Sequence, residues 1–170
     1  MLARRQTAGR GRQGREWFDG AGNFMGSCAV LRRHGDPPAA SLSFVAALAV
    51  RDAAAHAMDE DADLALKWPN DVLLSGGKLS GILLEMIGRH IVVGIGVNLV
   101  RAPDLPDRKT AAIACEGAAP DLERFADRLA RCFAERLGEW RAEGLSVTLQ
   151  RFLALSLHAP GSPLRVHDGE

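Results

Sequence analysis

Between residues 64 and 98 the chain reads as short apolar runs separated by turn residues, and this pattern restricts its fold more than any other feature. Leu64 to Trp68, Val72 to Leu74, Leu79 to Met86 and Ile91 to Gly96 are each of strand length. Gly76-Gly77 and Gly88-Arg89 supply hairpin turns between them. The first connection is Lys67-Trp68-Pro69-Asn70-Asp71, with Lys78 seven residues on. Pro69 sets its own φ and holds Trp68 extended, while Asn70 and Asp71 suit a turn because their side chains bond nearby backbone. The predicted product is a rigid corner that aims Lys67, Asn70, Asp71 and Lys78 from adjacent strand ends. A lysine beside a carboxylate on stiff backbone suits a site handling a phosphate with its metal. A solvated hairpin tip is the plainer alternative.

The flanks predict one further strand and two helical regions. Phe24 to Leu31 is apolar or small throughout and reads as a buried strand. Asp36-Pro37-Pro38 reads as a helix start with Asp36 as N-cap. Leu42, Val45, Ala46, Ala49 and Ala53 then share one face through to about Met58, with alanines small enough for close packing on a sheet. His56 reads as a polar-face residue, and Asp59-Glu60-Asp61 as a solvated acidic turn. Residues 101–119 read as loop and short helix. Asp121 is placed to cap a long helix with the stripe Leu122, Phe125, Ala126, Leu129, Cys132, Phe133, Leu137 and Trp140, ended by Gly144. That stripe is core, and Cys132 within it is structural. A second amphipathic piece runs from Val147 to Leu157.

Residues 1–17 stand apart. Arg4, Arg5, Arg10, Arg12 and Arg15 face a single acid, Glu16, and Gly9, Gly11 and Gly14 alternate with the last three arginines. No apolar period appears, so the segment reads as a flexible basic loop whose guanidinium and N–H groups can fold around an anion. A disordered basic terminus is the alternative. Gly9 to Gly14 also satisfies the dinucleotide fingerprint G-x-G-x-x-G. That match is rejected, because turn chemistry at Asp19-Gly20-Ala21-Gly22-Asn23 follows where a helix is needed. Two features of the last strands add to the candidate site. Gly94 and Gly96 mark close approach by a ligand or another backbone, or a bulge. Asn98 offers a donor and an acceptor at a strand end, suited to reading a base or an amide. Glu85 follows a nearly continuous apolar run and is either turned inward to a partner or an exposed strand-end acid.

Composition excludes several classes. At 170 residues the expectation is one domain able to fold unaided. Lys plus Arg equals Asp plus Glu at 21 each, so bulk attraction to nucleic acid or to an anionic membrane is not indicated. Cys28, Cys115 and Cys132 are widely spaced, which argues against a zinc site or a disulfide framework and fits a reducing compartment. No apolar run is long enough to span a membrane, and Met1 to Arg5 lacks the apolar segment of a signal peptide. A cytoplasmic location is expected.

Three stretches occur in order: Gly-Arg-Gly-Arg-Gln-Gly-Arg-Glu-Trp (9–17), Lys-Trp-Pro-Asn-Asp with Lys-Leu-Ser-Gly-Ile-Leu-Leu-Glu (67–85), and Gly-Ile-Gly-Val-Asn (94–98). Together they resemble the catalytic domain of bacterial biotin protein ligases, from about Arg4 onward. The resemblance implies an α/β domain of the α+β type, shared with class II aminoacyl-tRNA synthetases and lipoate ligases: a mixed, mainly antiparallel sheet with flanking helices. It implies ATP, Mg²⁺ and biotin as reactants, formation of biotinyl-5′-AMP, and transfer to a lysine of the biotin carboxyl carrier protein of acetyl-CoA carboxylase. By motif position, Lys78 and Arg12 are expected to carry the chemistry. Gln6, Gly9, Arg10, Gly11, Arg12, Lys78 and Gly81 are expected around biotin and adenylate. Asn70, Asp71, Asn98 and Arg15 are expected on the nucleotide side, with Asp71 also the Mg²⁺ carboxylate and Lys67 ranked lower. Alternatives are a lipoate or octanoate ligase or transferase of the same fold, and a non-catalytic binding module.

The resemblance also sets expectations about extent. Residues 1–158 are expected to form the catalytic domain, and 159–170 a linker and the first strand of a small C-terminal β-barrel. A Ser/Thr-Thr-Asn segment on an added strand and helix is expected upstream of the basic loop and has no counterpart here, so the chain is expected to be truncated at both ends. No DNA-binding helix-turn-helix precedes the domain, so a repressor role and a nucleic-acid partner are not expected. A monomer or a homodimer is expected.

Overall fold

The predicted strands form where their apolar residues alternate. In this computed structural model, which describes residues 1–58 and 62–158, they are β2 (Phe24–Leu31), β3 (Leu64–Lys67), β4 (Asp71–Leu74), β5 (Gly77–Ile87) and β6 (His90–Val97), and an unpredicted strand, β1 (Leu2–Ala3), precedes them. They make one sheet in the order β1-β2-β6-β5-β4-β3, and every neighbouring pair is antiparallel. Register sets the two faces. Ile82 lies opposite Ile95 and Leu84 opposite Val93, on the face that carries the core. Gly81 lies opposite Gly96 and Leu83 opposite Gly94, on the face that carries a cleft.

Helix α1 (Leu42–His56) covers the core face, and α2 (Leu122–Ala154) packs on α1 and reaches β2. Layers on both sides of α1 explain why it is buried nearly all round, at Ala47, Leu48, Val50 and Ala54 as well as on the predicted stripe. Phe24 and Phe125 meet edge to face at 5.8 Å. The buried Trp140 donates from Nε1 to Ser41 Oγ at 2.8 Å. Asp121 caps α2 as predicted, accepting from the N–H groups of Glu123 and Arg124. Gly144, at φ +82°, interrupts α2. Beyond it the chain returns to the sheet edge: Leu66 N–H donates to Leu155 O and Leu157 N–H to Leu66 O, both at 2.8 Å.

Three local readings are corrected. Asp36 does not cap a helix. Asp36 and Pro37 each precede a proline, which disfavours the helical region, and the chain turns only at a 3-10 segment, Ala39–Ser41, before α1. The Asp36 carboxylate instead accepts from the backbone N–H of Arg33 and from Arg141 of α2. Second, residues 1–17 are not a featureless loop: β1 pairs with Met25 and Gly26, and Trp17 N–H donates to Gly9 O at 3.0 Å, which closes a lasso. Third, the β4–β5 turn lies at Ser75 (φ 48°) and Gly76 (φ 73°). Gly77 serves a different need, since a Cβ there would stand 2.9 Å from the Thr110 backbone. Of the two readings of Glu85 the structure takes the exposed one, with no ion-pair partner among the described residues. The acidic turn at 59–61 and the linker and strand expected at 159–170 lie outside the described residues. No helix of the described residues is long and apolar enough to cross a membrane.

Candidate functional site

The floor of the cleft is made by absence of side chains. Gly81 and Gly96 face each other across β5 and β6, and the indole of Trp17 fills the space. A Cβ on Gly96 would stand 2.3 Å from that ring, and one on Gly81 would stand 2.8 Å from it. The close approach expected at the Gly94/Gly96 pair is therefore made at Gly96 by a side chain from the arginine–glycine loop. At Gly94 the nearest atom is at 3.6 Å, an ordinary contact. The Lys78 ammonium lies 5.9 Å from the Trp17 ring centroid, within cation–π range.

The cleft has a volume of about 820 Å³. Gln6, Gly9, Arg10, Gly11, Arg12, Arg15, Asn70, Asp71, Lys78, Gly81 and Asn98 all line it. Lys67 does not; it is exposed on the outer end of β3. One wall is the lasso, which the chain folds in a tight space: a Cβ on Gly9 would meet Trp17 O at 2.7 Å. Arg12 donates to Asn70 Oδ1 at 3.3 Å, and Asn70 Nδ2 donates to Ile82 O at 2.6 Å, so the corner holds the lasso to the sheet. Below them Lys78 Nζ lies 2.7 Å from Asp71 Oδ1, with both side chains 22% exposed. That oxygen makes no aligned hydrogen bond, so the contact is an ion pair. Gln6 donates its backbone N–H to Asp19, while its buried side-chain oxygen accepts nothing.

Asn98 follows directly on β6 and lines the cleft, at the strand end its sequence position suggested. It is 2% exposed. Its Nδ2 donates to Lys78 O at 3.4 Å and to Ala111 O at 3.1 Å, and its Oδ1 accepts from Asn23 at 3.3 Å. Its amide joins the end of β6 to the cleft walls.

A second wall escaped the sequence reading. It comes from residues 103–110, where Pro103, Leu105, Arg108 and Thr110 line the cleft. Lys78 N–H donates to Lys109 O at 2.9 Å and Ala111 N–H to Lys78 O at 3.0 Å, so this wall is fixed to the start of β5. Arg108 forks onto the carboxylate of Asp107. That fork holds Asp107 below the ordinary carboxylate range, helped by the nearby Arg15. Asp107, and further off Asp71, hold Arg108 above its ordinary value. The only signal in the sequence was an acid–base pair in a proline-bearing loop, which is common on surfaces. Trp17 carried a better signal, an aromatic following the arginines of a chain whose strands contain bare glycines.

Comparison with known proteins agrees with this architecture. Residues 1–98 match the model of the biotin/lipoate A/B protein ligase family. The chain is 49% identical over 154 residues to a biotin–[acetyl-CoA-carboxylase] ligase of Paracoccus denitrificans, covering 84% of this chain and 62% of that one. It is 42% identical over 147 residues to the ligase of the same description from Mycobacterium tuberculosis, covering 83% and 54%. Among solved structures, a biotin protein ligase from Aquifex aeolicus in complex with biotin and ATP superposes with a TM-score of 0.80 at 26% identity, over 92% of this chain and 67% of that one. The chain thus spans a little over half the length of the curated relatives it matches. With more than half of its residues inside the matched region and the same fold throughout, the chain belongs to the biotin/lipoate A/B protein ligase family.

Proposed function

We propose that this chain is the catalytic part of an ATP-dependent biotin protein ligase. In the first step a biotin carboxylate oxygen attacks the α-phosphorus of ATP, giving biotinyl-5′-AMP and pyrophosphate. In the second, the amine of a lysine on the biotin carboxyl carrier protein attacks the acyl carbon and AMP leaves. The observation that carries this reading is the Lys78–Asp71 pair lying under the arginine lasso in one cleft. Two anions must meet for adenylation, and cationic side chains offset their repulsion. Lys78 is placed to turn from Asp71 to the reacting oxygens. Arg10 and Arg12 close the lasso over the adenylate and keep water from it.

The orphaned oxygen of Gln6 supports biotin over lipoate. A buried acceptor without a donor is costly. The ureido ring of biotin carries two N–H donors, and a dithiolane ring carries none. Magnesium belongs to the same reading and supplies charge withdrawal on the phosphates. The described residues hold no cluster of three metal-ligating side chains. Asp71 is one carboxylate, already beside Lys78, which fits an ion that keeps phosphate oxygens and water as most of its ligands.

The test is incubation with ATP, Mg²⁺ and either biotin or lipoate, followed by pyrophosphate release and then transfer to the carrier protein. Biotin-dependent release with transfer is expected. Release with lipoate alone overturns the choice of acid, and ligand binding without any release overturns the enzyme.

A further inference from the structure

The wall at 103–110 contributes a cation that no sequence motif marked. Arg108 lines the cleft from a segment separate from the lasso. Its backbone neighbours Lys109 and Ala111 are bonded to Lys78, and Thr110 Oγ1 donates to Pro103 O, so the residue sits on anchored backbone. Its guanidinium forks onto Asp107, with Nε 3.1 Å from Oδ1 and 3.0 Å from Oδ2. Asp107 is 58% exposed and is the adjacent residue. An exposed pair of this kind is weak and exchangeable. A phosphate group offers the same planar fork more charge and more acceptors.

The placement of Asp107 says what the fork is for. Its carboxylate is held by Arg108 and lies within electrostatic reach of Arg15 on the lasso. Arg108, which holds it, lines the same cleft as Arg15, Lys78 and Asp71. A chain of phosphates that begins at Lys78 carries more negative charge than one lysine offsets, and Arg108 is a further cation lining the same cleft. Lys78 serves the reacting end, and Arg12 is taken up by Asn70.

We infer that Arg108 is a polyphosphate contact for the β- and γ-phosphates of the nucleoside triphosphate, and that Asp107 is its resting partner in the unliganded cleft. This rests on the ligase reading for the identity of the nucleotide. It adds a substrate contact outside the arginine–glycine and lysine motifs. When the triphosphate enters, Arg108 leaves Asp107 for phosphate oxygens. When pyrophosphate departs, Asp107 takes the fork back, which favours release.

The experiment is titration calorimetry of the whole chain with ATP, AMP and inorganic pyrophosphate. Replacing Arg108→Ala should weaken ATP and pyrophosphate by about 10- to 100-fold, the range for a charge-assisted fork, and leave AMP within about twofold. Asp107→Asn, which weakens the competing acceptor, should tighten ATP and pyrophosphate. Unchanged ATP and pyrophosphate affinity in Arg108→Ala overturns the proposal, and so does an equal loss for AMP, which signals a wall that has moved. A wild-type chain that binds neither ATP nor pyrophosphate overturns it too. The ligase reading fails separately: nucleotide binding with the expected Arg108 pattern but no biotin- or lipoate-dependent pyrophosphate release leaves the phosphate contact standing and removes the acid.

Discussion

Trp17 lies against Gly96 so closely that a single added methyl would overlap the indole: the position of such a Cβ is 2.3 Å from the ring. A loop residue is thereby locked to a strand 79 positions later, next to its end at Val97, and the floor of the cleft depends on both. Gly96→Ala should push Trp17 out. An overpacking cost of about 1–3 kcal/mol is expected. The emission of Trp17 should shift, and biotin affinity should fall. Denaturant melts and ligand titration of the variant check this; an alanine tolerated with unchanged emission would mean that the indole does not sit there.

Lys78→Ala tests the reacting end. The rate of adenylate formation should fall by about 10²–10³, as when one charge-stabilising donor is lost. Lys78 is half-buried against Asp71. Its loss should therefore also cost about 1–2 kcal/mol, between an exposed and a buried pair. The companion Asp71→Asn/Lys78→Ala variant should recover part of that stability and none of the rate, as read by urea titration and pyrophosphate release.

Arg12 and Asn70 act as one clasp. Either Arg12→Ala or Asn70→Ala should speed escape of the adenylate after rapid dilution, and the double variant should add little to the faster single one. Fully additive effects would mean that the two residues retain the intermediate independently.

Asn98 is buried, with hydrogen bonds to Lys78, Ala111 and Asn23. Removing its amide in Asn98→Ala strands those partners and should cost about 2–3 kcal/mol of stability. If the residue instead read a nucleotide, urea midpoints would hardly move and only ATP affinity would change.

Asp36 makes stability depend on acid. Burial pushes its carboxyl up, but the N–H of Arg33 and the guanidinium of Arg141 outweigh this and hold it below its ordinary value of 3.8. A depressed folded value means that the contribution is fully present well above pH 3.8 and is lost as pH falls through the lower, folded value. Asp36→Asn should be less stable than wild type at pH 7, with the gap closing below about pH 4, where the unfolded carboxyl also titrates. Urea unfolding across that range measures it.

Local pattern in this chain determined its elements. β2 begins and ends where the apolar run does, β3 to β6 lie within a residue or two of their predicted bounds, and the stripe from Phe125 to Trp140 is core with Asp121 as its cap. These features arise from side-chain periodicity and capping, which act over a few neighbouring residues. The basic lasso and the lysine corner could be named for the same reason. Only the tertiary structure decided what stands opposite what. The indole of Trp17 over Gly81 and Gly96, the three bonds of Asn98, and the wall that carries Arg108 join residues well beyond the reach of local pattern, up to 79 positions apart. Sheet order brings them together, and a glycine in a strand states that room is left without stating which side chain will take it.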